Sequence, residues 1–425
     1  MTRRQRWTIF IASAGGALET FDFVIYGFFA QEIGREFFPL GGGASAVTLS
    51  FAVFAIGYLS RPLGGLFLGR LGDKYGRRLV FAAAAIVAAL STLFIALLPS
   101  YRAWGVAAPA LMLLLRLTQG VCVGGELSGA VVYAVETTRT RPGFLCGIVF
   151  FAVNISLLLA AGINLFVQAT LTSAEVLRYG WRIGFFVGGL IGLLSFFVRR
   201  TLPETDAFAR AEGVRHREPL AVLFRRHLAP LATGIAATTV VGVSNGLFVA
   251  HAPTYLRQLN YAPQQIATAQ TLYVIVIALC MLVTAKAGDL LPRRYVFRAG
   301  AVVTAVFAPC FYAAVSRGQA DLFTWFVLAA IVAAFANGTF ACAIAEMFPI
   351  GVRYSGLGAA MNLGLAATMG TAPLAATILI ARTQWNAAPA LVMMSCAGLA
   401  FVASFAMKPS RAEESRLTTD TRECT

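Results

Sequence analysis

Three carboxylates and two arginines stand within long apolar runs, where an unpaired charge is least tolerated. Glu19, Asp22 and Tyr26 fall at i, i+3 and i+7 of one run, so a helix puts them on one face. Arg116, Gln119, Val123 and Glu126 share a face of another run in the same way. Arg61 lies in a third run, twelve residues before Asp73, about 18 Å away by helical rise. Ionisable groups at membrane depth are costly and mark ion or ligand routes by default. An arginine opposite a carboxylate is the usual remedy, and its guanidinium fork also binds a free carboxylate bidentately. With three carboxylates against two arginines, at least one carboxylate is left to exchange a proton, because a low dielectric favours its neutral form. Asp22 is the first choice for that role, Glu126 the second, and Glu19 the remaining candidate. Arg61 and Arg116, with Tyr26 and Gln119 beside them, are the candidate anion ligands. A permanent ion pair, such as Arg61 or Arg116 with Glu126, explains any one residue but not all five charges.

The elements that must position these groups are transmembrane helices. Of 425 residues 58% are apolar and only 12% charged, half the charge of an ordinary soluble chain. Runs of about twenty residues, enough to cross a bilayer, recur from end to end. They read approximately as 8–31, 46–70, 79–98, 107–135, 144–170 and 182–199, then 227–256, 265–288, 295–315, 321–345, 355–380 and 388–407. The expected fold is therefore an all-α membrane protein with twelve transmembrane helices in two pseudo-symmetric six-helix bundles. Residues 1–200 form the first bundle, 201–226 a polar connector, 227–408 the second bundle and 409–425 a polar tail expected to be disordered. The first run continues past Asp22 without a cleavage site and reads as a retained span.

The net charge of +15 is topological. With both termini inside, 23 of the 34 Lys and Arg lie on the cytoplasmic side and seven outside, with Arg61, Arg70, Arg116 and Lys286 in or beside spans. That asymmetry follows the positive-inside rule and implies no nucleic-acid partner. The seven cysteines are scattered without metal-ligand spacing and read as small core residues. Gly242-Val243-Ser244-Asn245-Gly246 matches an esterase pattern, but it lies inside an apolar span without the strand-to-helix turn that motif needs. No phosphate-binding G-x-x-x-x-G-K-[ST] occurs.

The chain is organised around Arg61–Arg78, RPLGGLFLGRLGDKYGRR. Gly64, Gly65 and Gly69 let a neighbouring helix approach closely, and Asp73, Lys74, Arg77 and Arg78 mark the exit from lipid. The order G-x-x-x-D-x-x-G-R-R between two spans resembles the loop between helices 2 and 3 of the major facilitator superfamily. Further motifs resemble its metabolite:proton symporter family: Glu19-Thr20-Phe21-Asp22-Phe23, Arg61-Pro62-Leu63-Gly64-Gly65, Arg116-Leu117-Thr118-Gln119-Gly120, Gly124-Gly125-Glu126, Trp181-Arg182-Ile183 and Glu346-Met347-Phe348-Pro349 with Arg353-Tyr354-Ser355-Gly356. Thr20 stands where the family usually has Trp or Tyr, and Gly184 where it has Pro.

The resemblance implies alternating access between the two halves with a substrate site near the midplane, driven by the proton gradient without a cofactor or metal. It implies a conformational latch of Gly69, Asp73, Gly76, Arg77 and Arg78, with Glu136, Asp289 and Arg353 as its counterparts. The second copy of the loop, Gly288-Asp289-Leu290-Leu291-Pro292-Arg293-Arg294, has Pro292 in place of Gly76 and is expected to latch more weakly. The expected function is proton-coupled uptake of a small organic anion, a di- or tricarboxylate such as citrate or 2-oxoglutarate. That preference rests on the two deep arginines and a tail without the apolar heptads of a coiled coil. The alternatives are a proton symporter for a zwitterion such as betaine or proline, a proton-driven efflux antiporter, and a non-transporting membrane sensor. A monomer in a bacterial inner membrane is expected, crossing it repeatedly with both termini in the cytoplasm. In the second half Asn245, Tyr273, Asn337 and Asn362 are the polar candidates, Asn337 and Asn362 as weak ligands. His251 is expected at the membrane–water boundary.

Overall fold

The computed structural model describes residues 20–39, 42–64, 67–68, 77–123, 126–138, 141–201, 223, 225–318, 320–350 and 352–407. Among these the secondary structure is helical, with no strand. In the first half α1 covers residues 20–28 and resumes as Ala30–Phe37, and α2 covers Gly42–Leu59 and runs on to 64. Then follow α3 (Arg77–Leu97), α4 (Ala107–Cys122 and Glu126–Thr137), α5 (Pro142–Thr170) and α6 (Trp181–Thr201). The second half has α7 (Leu228–Gln258), α8 (Pro263–Leu290), α9 (Arg293–Val315), α10 (Leu322–Met347), α11 (Arg353–Thr383) and α12 (Pro389–Ala403). Nine of these twelve helical units are long and apolar enough, among the described residues, to cross a membrane. Large apolar side chains such as Leu194, Val283, Val306 and Val402 face outward, as lipid contact requires.

The helix bounds lie within a few residues of the sequence reading, with one informative exception. The first span was expected to end at 31, before Glu32. Instead the helix runs to Phe37 with Glu32 buried. It can do so because Arg257 of α7 meets the Glu32 carboxylate.

Within the first half α3 packs on α6 and α4, and α2 on α4. The α2–α4 approach needs a glycine: a Cβ on Gly64 would lie 1.9 Å from the Val121 carbonyl oxygen. In the second half α8 and α9 both pack on α10, while α7 packs on α11 and α12. The halves meet along α5–α8 and α2–α11, and at α4 against α10 and α11.

Two helices at this seam widen to π turns, Gly246–His251 in α7 and Ala366–Gly370 in α11. A proline follows each, Pro253 and Pro373, which lacks the N–H that the preceding turn's carbonyl would accept. In α7 the freed carbonyls are met from α8: Gln270 Nε2 donates to Phe248 O at 3.2 Å and Val249 O at 3.0 Å. Below, the connector end is where α6 stops and α7 starts; the far end is opposite.

Candidate functional site

Arg116 and Asp22 are joined by one hydrogen-bonded chain across three helices, α1, α3 and α4. Arg116 of α4 is fully buried, with Cζ 4.0 Å from the Tyr26 ring centroid and 5.1 Å from that of Phe23, both on α1. Such stacking offsets part of the cost of burying a guanidinium. Arg116 Nη1 donates to Gln119 Oε1 (2.8 Å) and to the backbone oxygen of Asp22 (3.3 Å). One turn along the same helix face, Gln119 passes the chain on, donating from Nε2 to Thr92 Oγ1 of α3 at 2.7 Å. Thr92 Oγ1 lies 2.5 Å from Asp22 Oδ2 and 2.9 Å from the Ala88 carbonyl. Arg116 Nε and Nη2 have no hydrogen-bond partner, and among the described residues Arg116 makes no salt bridge.

A hydroxyl carries one proton, so Thr92 cannot donate to Asp22 and Ala88 at once. When Asp22 is ionised, Thr92 donates to the carboxylate. When Asp22 is protonated, the carboxylic acid donates to Thr92, whose own proton turns to the Ala88 carbonyl. Gln119 donates to Thr92 in both states. The Asp22 carboxyl thus keeps a partner in either protonation state without any helix moving. Asp22 packs against α6, where a Cβ on Gly188 would come within 3.0 Å of its Oδ1.

The structure separates residues that the sequence grouped. Tyr26 donates to Ser50 O at 3.1 Å and accepts from Ser50 Oγ at 3.2 Å, so its hydroxyl is engaged within the first half. Gln119 is 1% exposed and links Arg116 to Thr92 instead of facing a cavity. Arg61 stands elsewhere, beside a narrow cleft shared with α11 and lined also by Ser128 and Asn362. Both arginines nevertheless flank one ring, Phe23, with Arg61 Cζ 5.6 Å from its centroid. Glu19 lies outside the described residues, as does the side chain of Glu126. In the second half Asn245 Nδ2 donates to Asn337 Oδ1 at 3.0 Å and Asn337 Nδ2 to Ala333 O at 2.9 Å, which ties α7 to α10.

At the connector end the halves are joined by side chains the sequence named. Asp289 at the end of α8 accepts from the backbone N–H groups of Gly143 and Phe144, each at 2.8 Å, capping the start of α5 across the seam. It also pairs with Arg293 at 2.7 Å, and Arg293 pairs with Glu346. Glu136 of α4 bonds Arg353 of α11 at 3.0 Å. Pro292, which stands where the first copy has Gly76, is the N-cap of α9, and Asp289 three residues before it is engaged with both α5 and Arg293. Gly69, Asp73 and Gly76 of the first copy lie outside the described residues, as do the side chains of Arg77 and Arg78, whose backbone opens α3.

The far end carries contacts that sequence reasoning missed. Glu32 of α1 pairs with Arg257 of α7. His251 is 2% exposed at the seam, covered by neighbouring helices, its ring 5.5 Å from Phe51 and stacked 5.6 Å from Tyr255. The only sequence signal for Thr92, Glu32 and Arg257 was a polar residue in or beside an apolar run.

Apolar helices long enough to cross a membrane, a seam between two halves and charged contacts across both its ends define a multi-span membrane protein. The family model for "Sugar (and other) transporter" matches residues 8–233, and that for "Major Facilitator Superfamily" matches 234–423. The chain is similar to the proline/betaine transporter of Salmonella typhimurium, 31% identical over 421 residues, covering 95% of this chain and 83% of the relative. It is 30% identical over 427 residues to a glycine betaine/proline/ectoine/pipecolic acid transporter of Dickeya dadantii, covering 95% and 83%. Among solved structures, a D-xylose–proton symporter superposes with a TM-score of 0.73 at 19% identity, covering 95% of this chain and 98% of that one. A partially occluded, inward-open xylose transporter from E. coli gives 0.71 at 17% identity, covering 93% and 95%. The chain belongs to the major facilitator superfamily.

Proposed function

We propose that this protein is a proton-coupled symporter that takes up a small zwitterion, a betaine- or proline-type solute, by alternating access. The preference moves here from the organic anion expected on sequence grounds. Relatives at 30–31% identity over nearly the whole chain are named as proline/betaine transporters. The geometry is compatible, because a buried arginine tied into a neutral amide and hydroxyl chain is not a free anion receptor. The observation that carries the proton coupling is the Arg116–Gln119–Thr92–Asp22 chain.

In this reading Asp22 takes a proton when the far end is open, and the Thr92 hydroxyl turns from Asp22 to Ala88. Neutralising Asp22 lowers the cost of closing that end around the solute, since the site no longer buries an uncompensated carboxylate. The connector end then opens by release of Asp289 from α5 and of Glu136 from Arg353. That end carries most of the basic residues and faces the cytoplasm of a bacterial inner membrane, with both termini inside. Residues 1–200 and 227–408 act as the two moving units, and one chain is the working unit. An organic-anion carrier is the second reading, favoured by Arg61, which has no carboxylate partner among the described residues.

The test is solute-driven acidification in proteoliposomes loaded with a pH dye. Glycine betaine, proline, citrate, 2-oxoglutarate and succinate are added outside in turn. Acidification with betaine or proline supports zwitterion symport. A response to a carboxylate alone restores the anion reading, and silence with all five, in correctly inserted protein, rejects both.

A further inference from the structure

Where the two halves meet between α2, α4 and α11, a narrow, partly open cleft lies beside Arg61, with room for about one water molecule while the halves are together. Arg61, Ser128 and Asn362 supply its polar lining; Met361, Leu365 and Val123 supply the rest. Arg61 and Ser128 belong to the first half, Met361, Asn362 and Leu365 to the second. Its walls therefore separate whenever the halves do.

Arg61 is the unusual member. It is 8% exposed, its Nε is buried without a hydrogen-bond partner, and it forms no salt bridge with any described residue. The rings of Tyr58 (5.3 Å) and Phe23 (5.6 Å) lie against its guanidinium. They steer the fork and offset part of its desolvation, but a ring quadrupole does not neutralise a charge. Beside it Ser128 is buried at 4% exposure, and its hydroxyl faces Gly358 of α11. Asn362 places an amide on the opposite wall, with Nδ2 donating to Gly358 O at 2.9 Å. A guanidinium fork with a hydroxyl and an amide in reach is a recognition set for a carboxylate. The apolar walls suit the methyl and methylene groups of a small solute, and Met361 is a side chain that adapts to its shape. A bulky polyanion is disfavoured, because among the described residues Arg61 is the one cation lining the cleft.

We infer that this cleft is the carboxylate subsite of the transported solute: Arg61 receives the carboxylate, Ser128 and Asn362 orient it, and Met361 and Leu365 close over the aliphatic body. The inference rests on the zwitterion reading above and names its specificity determinant. Arg61 and Arg116 then divide the work, one meeting the solute and the other serving the proton relay, with Phe23 between them. Closure is sensed directly, since a solute bound to Arg61 touches α11 only when the halves are together.

The experiment uses the full chain in proteoliposomes, with radiolabelled glycine betaine and its carboxamide, which keeps the quaternary ammonium but lacks the anion. Wild-type protein is expected to carry betaine and discriminate against the amide. Arg61→Gln is expected to raise the KM for betaine about 100-fold, the loss of a bidentate charge-assisted contact, and to abolish that discrimination. Arg61→Lys should recover part of both. Ser128→Ala should raise KM several-fold, with the larger effect in KM and the smaller in kcat. Met361→Trp, which fills the cleft from the other half, should block uptake and keeps the inference testable if the arginine variants do not fold. If Arg61→Gln keeps the wild-type KM and selectivity, or Met361→Trp transports normally, the subsite assignment is overturned while the zwitterion reading stands. If wild-type protein carries no zwitterion at all, the reading itself fails before any variant is made.

Discussion

Glu32 of α1 and Arg257 of α7 form a buried ion pair at the far end, one partner from each half, with side chains only 9% and 13% exposed. In the proposed uptake cycle this end opens to admit an external solute, so the pair breaks in every cycle. Removing one partner leaves the other charge buried and uncompensated, which costs about 3–5 kcal/mol in comparable buried pairs. Arg257→Gln is therefore expected to favour the far-end-open state, with faster hydrogen exchange over residues 246–258. Glu32→Gln combined with Arg257→Gln should be milder than either alone. The charge swap Glu32→Arg with Arg257→Glu should restore protection. A double-variant cycle with no coupling would remove this pair from the gate.

Two glycines offer wedges of opposite effect. A Cβ on Gly27 would lie 2.7 Å from both Cα and Cβ of Ala250, across the far end. A Cβ on Gly143 would lie 2.7 Å from Asp289 Oδ1 and 2.8 Å from the Ala285 carbonyl, across the connector end. In each case backbone lies in the way, so the halves must part, and overpacking of this kind costs about 1–3 kcal/mol. Gly27→Ala should bias the protein open at the far end and Gly143→Ala at the connector end. Spin-label distances across each end should lengthen in one variant and not in the other. Equal effects at both ends would mean general loosening.

The helices, their bounds and the similarity of the halves were legible because lipid imposes length and apolarity on each span separately. The roles of single residues were less so. Gln119 shares a face with Arg116 and was grouped with the ligands, yet its partner is Thr92, on a helix whose rotation no periodicity fixes. The loop around Asp289 and Pro292 gives no hint that the Asp289 carboxylate caps the α5 backbone, because that partner lies 145 residues away in the chain. His251 and Glu32 looked peripheral because distance from a span's end measures depth and not which neighbour covers the side chain. Arg61 and Arg116 read as equivalent deep arginines, and only the packing of the neighbouring helices sets Arg116 against Gln119 and Arg61 at the cleft.

In the proposed coupling Asp22 is the group that takes the proton, so its amide should separate solute movement from proton movement. Asp22→Asn keeps the volume and can still accept from Thr92 through its carbonyl. It is expected to abolish solute-driven acidification and uphill accumulation while leaving solute exchange down a gradient within about tenfold of wild type. If Asp22→Asn still acidifies the vesicle interior, the proton travels elsewhere.

Thr92 is the sharpest test of the relay, because a valine of nearly the same shape removes only the rotor. Without the hydroxyl, ionised Asp22 loses a donor, protonated Asp22 loses an acceptor, and Gln119 Nε2 loses the oxygen it meets at 2.7 Å. A buried polar group left without its partner costs about 1–3 kcal/mol, or roughly one to two decades in rate if the loss falls on the coupling step. Thr92→Val is therefore expected to slow coupled uptake by about ten- to a hundredfold and to move its pH optimum. Thr92→Ser keeps the rotor and should stay within a few-fold of wild type with the optimum in place. A purely structural threonine would lower the amount of folded protein in both variants and leave the pH profile of the remainder unchanged. The comparison of the two pH profiles, normalised to folded protein, decides between these roles.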